Sequence, residues 1–177
     1  MSFIARILGL QPDPREGLRP LWHRVIEIAR KEKWYAQFGA ADTLAGRFDM
    51  ITAVHSLTLL RMEKSPDLVT PCVHLTELFV QDMDGQMREA GVGDVVVGKH
   101  VGKQMAVLGG RLGAFRAALK PGEISLMTSA VERNLTLLEG ADPGRMAAAL
   151  TGLWHALDAA SDEEILAGRI EYGKSGQ

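Results

Sequence analysis

A chain of 177 residues, 46% of them hydrophobic and 24% charged, suffices for one domain with a buried core and requires no second. A formal net charge of -2 argues against a general nucleic-acid binder, whose phosphate contacts demand a basic excess. The single cysteine, Cys72, rules out an internal disulfide framework and fits a reducing compartment.

No apolar run reaches the ~20 residues of a membrane-spanning helix, and the start lacks a signal-peptide pattern, so a soluble cytoplasmic protein is expected. The opening MSFIARILGL is amphipathic, with Phe3, Ile4, Ile7 and Leu8 sharing a face and Arg6 pointing away. Two readings of it stay open: a segment docked on the domain or frayed, and a peripheral foot on the inner face of the cytoplasmic membrane. The two prolines of QPDPREG then break it. Residues 1–17 are accordingly divided off as a segment and linker, 18–168 as the domain, and 169–177 as a flexible tail.

A first helix is expected to open after Gly17 and run to about Phe38, with Leu18, Leu21, Trp22, Val25 and Ile28 or Ala29 on its apolar face and Pro20 in its first turn. Arg19, Arg24, Arg30, Lys31 and Lys33 make it the most basic element. They form either a solvated face or a patch for an acidic partner, ribosomal RNA or anionic lipid. After Gly39, Asp42 or Thr43 caps a second helix to about Met62, in which Leu44, Phe48, Ile51, Thr58 and Met62 keep helical phase. His55 lies on or beside that apolar face, where a hydrogen-bonded core histidine is commoner than a ligand. Ser65-Pro66 ends the helix.

A third helix spans about Asp67 to Ala90, with Leu68, Cys72, Leu75, Phe79, Met83 and Met87 in phase and Pro71 near its start. Asp82 and Asp84, two apart, point about 200 degrees away from each other and cannot act as a paired catalytic unit on one face. Arg88 stands four residues after Asp84 and can pair with it. His74 and Glu77 have a two-ligand spacing but no third ligand in view, so no metal is assigned. GVGDVVVG lacks the ending of a phosphate loop, and no cofactor is expected.

The fourth helix, after an irregular glycine-rich crossing near 91–98, carries Gly98, Gly102, Ala106, Gly109, Gly113 and Ala117 at steps of three and four, a continuous ridge of small side chains. Four helical glycines cost about 3 to 4 kcal/mol of propensity against alanine. Close packing offsets this most simply, either on another helix of the domain or on a helix of a partner. Val101, Met105, Leu108, Leu112 and Phe115 form the core stripe. Further helices follow from about Glu123 to Leu138, from Asp142-Pro143 onward, and after the capping signature Ser161-Asp-Glu-Glu164. The fold expected is all-α, a single domain of six to seven helices.

Two segments carry a family resemblance. FVQDMDGQMREAGVGDVVVGKHVGKQM resembles the signature of the ubiquinol-cytochrome c chaperone family through Asp82, Asp84, Arg88, the Gly91-x-Gly93-Asp94 turn and Gly98-Lys99. FGAADTLAGRFDMITAVHSLTLLRM is similar to its other shared segment, with Asp42, Thr43, Gly46, Arg47, Phe48 and Asp49 in order. The resemblance implies a non-catalytic chaperone that holds newly made cytochrome b during assembly of the bc1 complex, with a ribosome or a small partner subunit as further contacts and no specific DNA. Partner binding is expected around Asp82, Asp84, Arg88, Gly91, Gly93, Asp94, Lys99 and Lys103. Two readings from other classes are kept. A helical protein- or nucleic-acid-binding regulator would act through its basic first helix; an enzyme would gather His55, His74 and Asp82 around one cavity.

Overall fold

The computed structural model describes residues 13–89, 97–120 and 124–172. The amphipathic opening, Gly91, Gly93 and Asp94 of the crossing, and residues 173–177 lie outside the described residues, as do the surroundings of Gly98 and the side chains of Met87, Arg88, Lys99, Val101 and Lys103. After a 3-10 turn at Glu16–Leu18, the helices are α1 (Arg19–Ala29), α2 (Leu44–Met62), α3 (Val69–Glu89), α4 (Val97–Ala118), α5 (Ile124–Asn134), α6 (Pro143–Ala159) and α7 (Asp162–Leu166), with a helical turn at Lys33–Ala36 between α1 and α2. The fold is all-α, as expected; among the described residues strand pairing is confined to an isolated bridge between Ala40 and Leu137.

The bundle is built around α2. It packs against α1, α3, α4 and α6, and every residue from 50 to 62 is buried. A single apolar stripe would leave one side wet, but this helix is enclosed all round, as its run of apolar and small polar residues permits. The buried hydroxyls are satisfied within the helix: those of Thr52, Ser56 and Thr58 donate to the carbonyls of Phe48, Thr52 and Val54 at 2.9, 2.7 and 2.9 Å. Arg61, 8% exposed, leaves α2 to donate to the carbonyls of Leu157 and Ala160 and to meet Asp162 at 2.8 Å. A cation at the end of α6 answers that helix's unpaired carbonyls and dipole.

The caps fall where the residue types place them. Thr43 accepts from the Gly46 amide, Asp142 from Gly144, and Ser161 with Glu164 closes a full capping box. Pro71 sits in the first turn of α3, where a missing N–H does no harm.

Three expectations are corrected. The first helix does not run unbroken to Phe38. It stops at Ala29 because Trp34 and Tyr35 fold back, Trp34 Nε1 donating to the Ile28 carbonyl at 2.6 Å and Tyr35 Oη to Ala29 at 3.1 Å. The helix expected to reach Leu138 ends at Asn134, because the next residues pair with the segment before α2: the Ala41 amide donates to Thr136 and the Leu138 amide to Gly39. Residues 168–172 are not loose. Ile170 is buried, Tyr172 stacks on Trp34 at 5.6 Å and donates to Ala149, and Arg24 and Lys31 donate to the Ile170 and Tyr172 carbonyls.

Candidate functional site

The N-terminal half of α2, the two extended strips before it and after α5, Met83 and Gln86 of α3, and Tyr35 of the short turn line an open groove of about 1170 Å³. Its floor is apolar: Phe48 is half-buried, Ile51 and Met83 are buried. Its lips carry Leu44, 74% exposed, and Leu138, 52% exposed. Leu44, placed by its phase on the core face, occupies the first helical position beside the Thr43 cap and projects over the groove edge instead. Leu138 joins the lining because residues 136–138 leave the helix to pair with 39–41. Arg47 binds Asp42 at 2.6 Å on the rim, a pair that holds the Asp42 carboxyl below its usual range.

Asp49, in the groove wall, belongs to a buried network. Its carboxylate takes the Arg111 guanidinium of α4 together with the Thr136 amide at 2.9 Å and hydroxyl at 2.6 Å, and its carbonyl accepts from Arg111 at 3.1 Å. The Arg111 side chain is 6% exposed and that of Asp49 14%. One residue thereby ties α2, α4 and the strip after α5 together. No signal in the sequence pointed to this role for Arg111, because its partner lies 62 residues away, beyond any local pattern.

A second groove, of about 760 Å³, runs between α3 and α4 on the far side of α3. The predicted divergence of Asp82 and Asp84 is realised: Asp84 lines this second groove, whereas Asp82 accepts from Gln86, a residue of the first. The small-residue ridge is open. A Cβ added at Gly102, Gly109 or Gly113 would meet nothing within 4 Å, and Gly102, Ala106, Gly109 and Gly113 are exposed. Of the two packing partners considered for the ridge, a helix of this domain is not found against Gly102, Gly109 or Gly113 among the described residues.

Neither groove, nor a smaller cleft beside Arg111 and Arg133, is lined by His55, His74 or Asp82. His55 is fully buried between Phe79, stacked at 4.8 Å, and the edge of Trp22, and neither ring nitrogen has a hydrogen-bond partner among the described residues. It is a core residue, though not the hydrogen-bonded one expected. Burial pushes its pKa down to about 3. The unfolded chain, with a histidine near 6.5, takes up the proton first as pH falls. The stabilising contribution is therefore complete above about 6.5 and is lost on acidification toward 3. Between pH 7 and pH 5 the loss amounts to about 2 kcal/mol. His55→Leu should remove this part of the pH dependence, read as the difference between wild-type and variant urea midpoints at the two pH values; equal slopes would refute it.

Several basic residues of the first element are engaged locally. Arg24 meets Glu27 and the Ile170 carbonyl, and Lys33 lies 3.8 Å over the Tyr172 ring. Half-buried Cys72 has its thiol pushed up to about 11 by burial and is a poor nucleophile at neutral pH. No helix among the described residues is long and apolar enough to cross a membrane.

An all-helical domain with two open apolar-floored grooves, wired by a buried ion pair beside the larger one, has the character of a binding protein. The ubiquinol-cytochrome C chaperone family matches residues 36–172, and the chain belongs to that family. The fold is similar to the crystal structure of the Cbp3 homolog from Brucella abortus, with 29% sequence identity, 96% of each chain covered and a TM-score of 0.77. No curated protein matches.

Proposed function

We propose that this chain, as an assembly chaperone of the bc1 complex, holds newly made cytochrome b by taking an apolar segment of it into the groove between Leu44 and Leu138. Family membership supports the assembly role. The observation that carries the groove is its chemistry: an open channel of about 1170 Å³ with a Phe48, Ile51 and Met83 floor and leucines left in water at both lips. Burying one such leucine contributes about 1.5 to 3 kcal/mol, and an unassembled membrane protein offers the apolar helices that would bury it. Met83 supplies a side chain that adapts to varied apolar shapes. Asp82, held by Gln86 in the groove wall, is proposed to meet polar groups at the end of the bound segment. Asp84, Arg88, Gly91, Gly93, Asp94, Lys99 and Lys103 are proposed as contacts to client or partner subunit.

The test places a photo-crosslinking residue at Leu138, at Lys103 and, as a control, at exposed Arg145, in cells making bc1 complex. Capture of unassembled cytochrome b at Leu138 above the control is expected. Capture at Lys103 alone would move the client away from the groove. No capture at either position, together with normal bc1 assembly when the protein is deleted, would defeat the chaperone reading of this chain.

A further inference from the structure

Arg111 carries a donor that the fold leaves unanswered. Its side chain is 6% exposed, and Asp49 takes both of its Nη groups, one through the carboxylate and one through the backbone carbonyl at 3.1 Å. The Nε is shielded from water and has no partner among the described residues. A buried N–H on a charged group is costly to leave unpaired, and such groups are rare in folded proteins.

Arg111 lines neither of the two apolar grooves. It lines instead the smaller cleft, of about 340 Å³, between the middle of α4 and the end of α5. Arg133 stands in the same lining. It is exposed, its Nε donates to the Ser129 carbonyl at 3.1 Å, and among the described residues it meets no carboxylate. Arg47, Arg61 and Arg116 by contrast each pair with one. The cleft wall therefore holds two guanidinium groups, Arg111 and Arg133, against one carboxylate, that of Asp49, a surplus of one positive charge in a chain whose formal net charge is -2. The Asp49 carboxylate already accepts from Arg111 and from the Thr136 amide and hydroxyl, so Arg133 is left without an anion. Gly110 keeps the cleft accessible: it belongs to the lining, and a Cβ there would meet nothing within 4 Å, so α4 sets no side chain across that side.

We propose that this cleft binds a phosphate group, with the Nη groups of Arg133 and the Nε of Arg111 as its donors. A phosphate suits donors that come from two different helices, because its oxygens point in several directions at once and guanidinium groups bind them through charge-assisted hydrogen bonds. It neutralises the surplus charge and gives the buried Nε its missing acceptor. The phosphate is either free or the headgroup of a lipid; the chemistry is shared, and the test separates the two sources.

Proton–nitrogen spectra of the full chain resolve arginine Nε–H signals. On titration with inorganic phosphate, the Arg111 and Arg133 signals are expected to shift along one saturable curve, relative to chloride at matched ionic strength, while those of Arg47 and Arg116 move far less. Arg133→Gln, at an exposed position, should raise the midpoint of the Arg111 shift about tenfold, the loss of a hydrogen bond to a charged group. Gly110→Leu, which fills the open side and leaves both arginines in place, should abolish the shift. In a second arm the chain is sedimented with phosphatidylcholine vesicles with and without phosphatidate. Binding that needs phosphatidate and is lost in both variants assigns the phosphate to a lipid headgroup; a phosphate shift without vesicle binding assigns it to a free one. The proposal is overturned if inorganic phosphate shifts neither arginine and no variant-sensitive vesicle binding occurs. It is equally overturned if the Arg111 shift persists unchanged in both variants, since the phosphate then acts elsewhere on the chain.

Discussion

Asp49→Ala should destabilise the fold by about 3 to 5 kcal/mol, because it strands the Arg111 guanidinium in a site 6% exposed with its strongest partner removed. The Arg111 Nε already lacks a partner among the described residues, so little remains to compensate the charge. Thr136 would lose both its amide and hydroxyl acceptor, loosening the strip that carries Leu138 to the groove lip. Urea unfolding reads the change directly, as a midpoint lowered by more than about 1 M for a domain of this size. The double variant Asp49→Ala, Arg111→Met should recover much of the loss, since removing both ends leaves no buried charge. A single-variant loss below about 1 kcal/mol would mean that the pair is effectively solvated. Asp49 would then be a groove charge and not a structural tie.

Glycine-to-alanine changes should have opposite signs at two helical positions. At Gly46 an added Cβ would lie 2.0 Å from the Ala41 carbonyl oxygen and 2.9 Å from its carbon, both backbone atoms. Ala41 cannot retreat freely, since its amide donates to Thr136 at 2.9 Å. The overpacking costs about 3 kcal/mol, the upper end for an inserted methyl, and outweighs the ~1 kcal/mol gained in helix propensity. At Gly113 the same methyl meets nothing within 4 Å, and alanine should stabilise by about 1 kcal/mol. Thermal or urea denaturation of the two variants decides it. Stabilisation by Gly46→Ala would show that the α2 entrance yields, and destabilisation by Gly113→Ala would show that something covers the α4 ridge.

These two predictions recast the segment from Asp42 to Asp49. Its residues resemble a family signature, and a signature invites a reading as a contact surface. Much of it is architectural: Thr43 caps α2, Gly46 admits the Ala41 carbonyl, and Asp49 holds Arg111. The segment also lines the groove, through Asp42, Leu44, Ala45, Arg47, Phe48 and Asp49. The cap was legible because capping depends on residue type and one short spacing. The roles of Gly46 and Asp49 were not, because each is set by an atom brought in from another element.

The same division holds across the molecule. Helical periodicity, Pro66, Pro143 and the Ser161 capping signature determined from sequence alone that the chain is a helical domain and roughly where its helices begin, since these signals act within one or two turns. The two long segments determined its family. Only the tertiary structure decided that α2 is enclosed on all sides, that His55 is buried without a hydrogen-bond partner among the described residues, and that residues 136–138 abandon the helix to pair with 39–41. It also decided that a side chain added at glycines 102, 109 or 113 would meet open space, and that Asp84 lines the second groove while Asp82 accepts from Gln86. Periodicity reports that a helix has a face to bury, but not what arrives to bury it. Grooves, buried ion pairs and close approaches exist only between segments distant in the chain, so their geometry is settled when the elements pack.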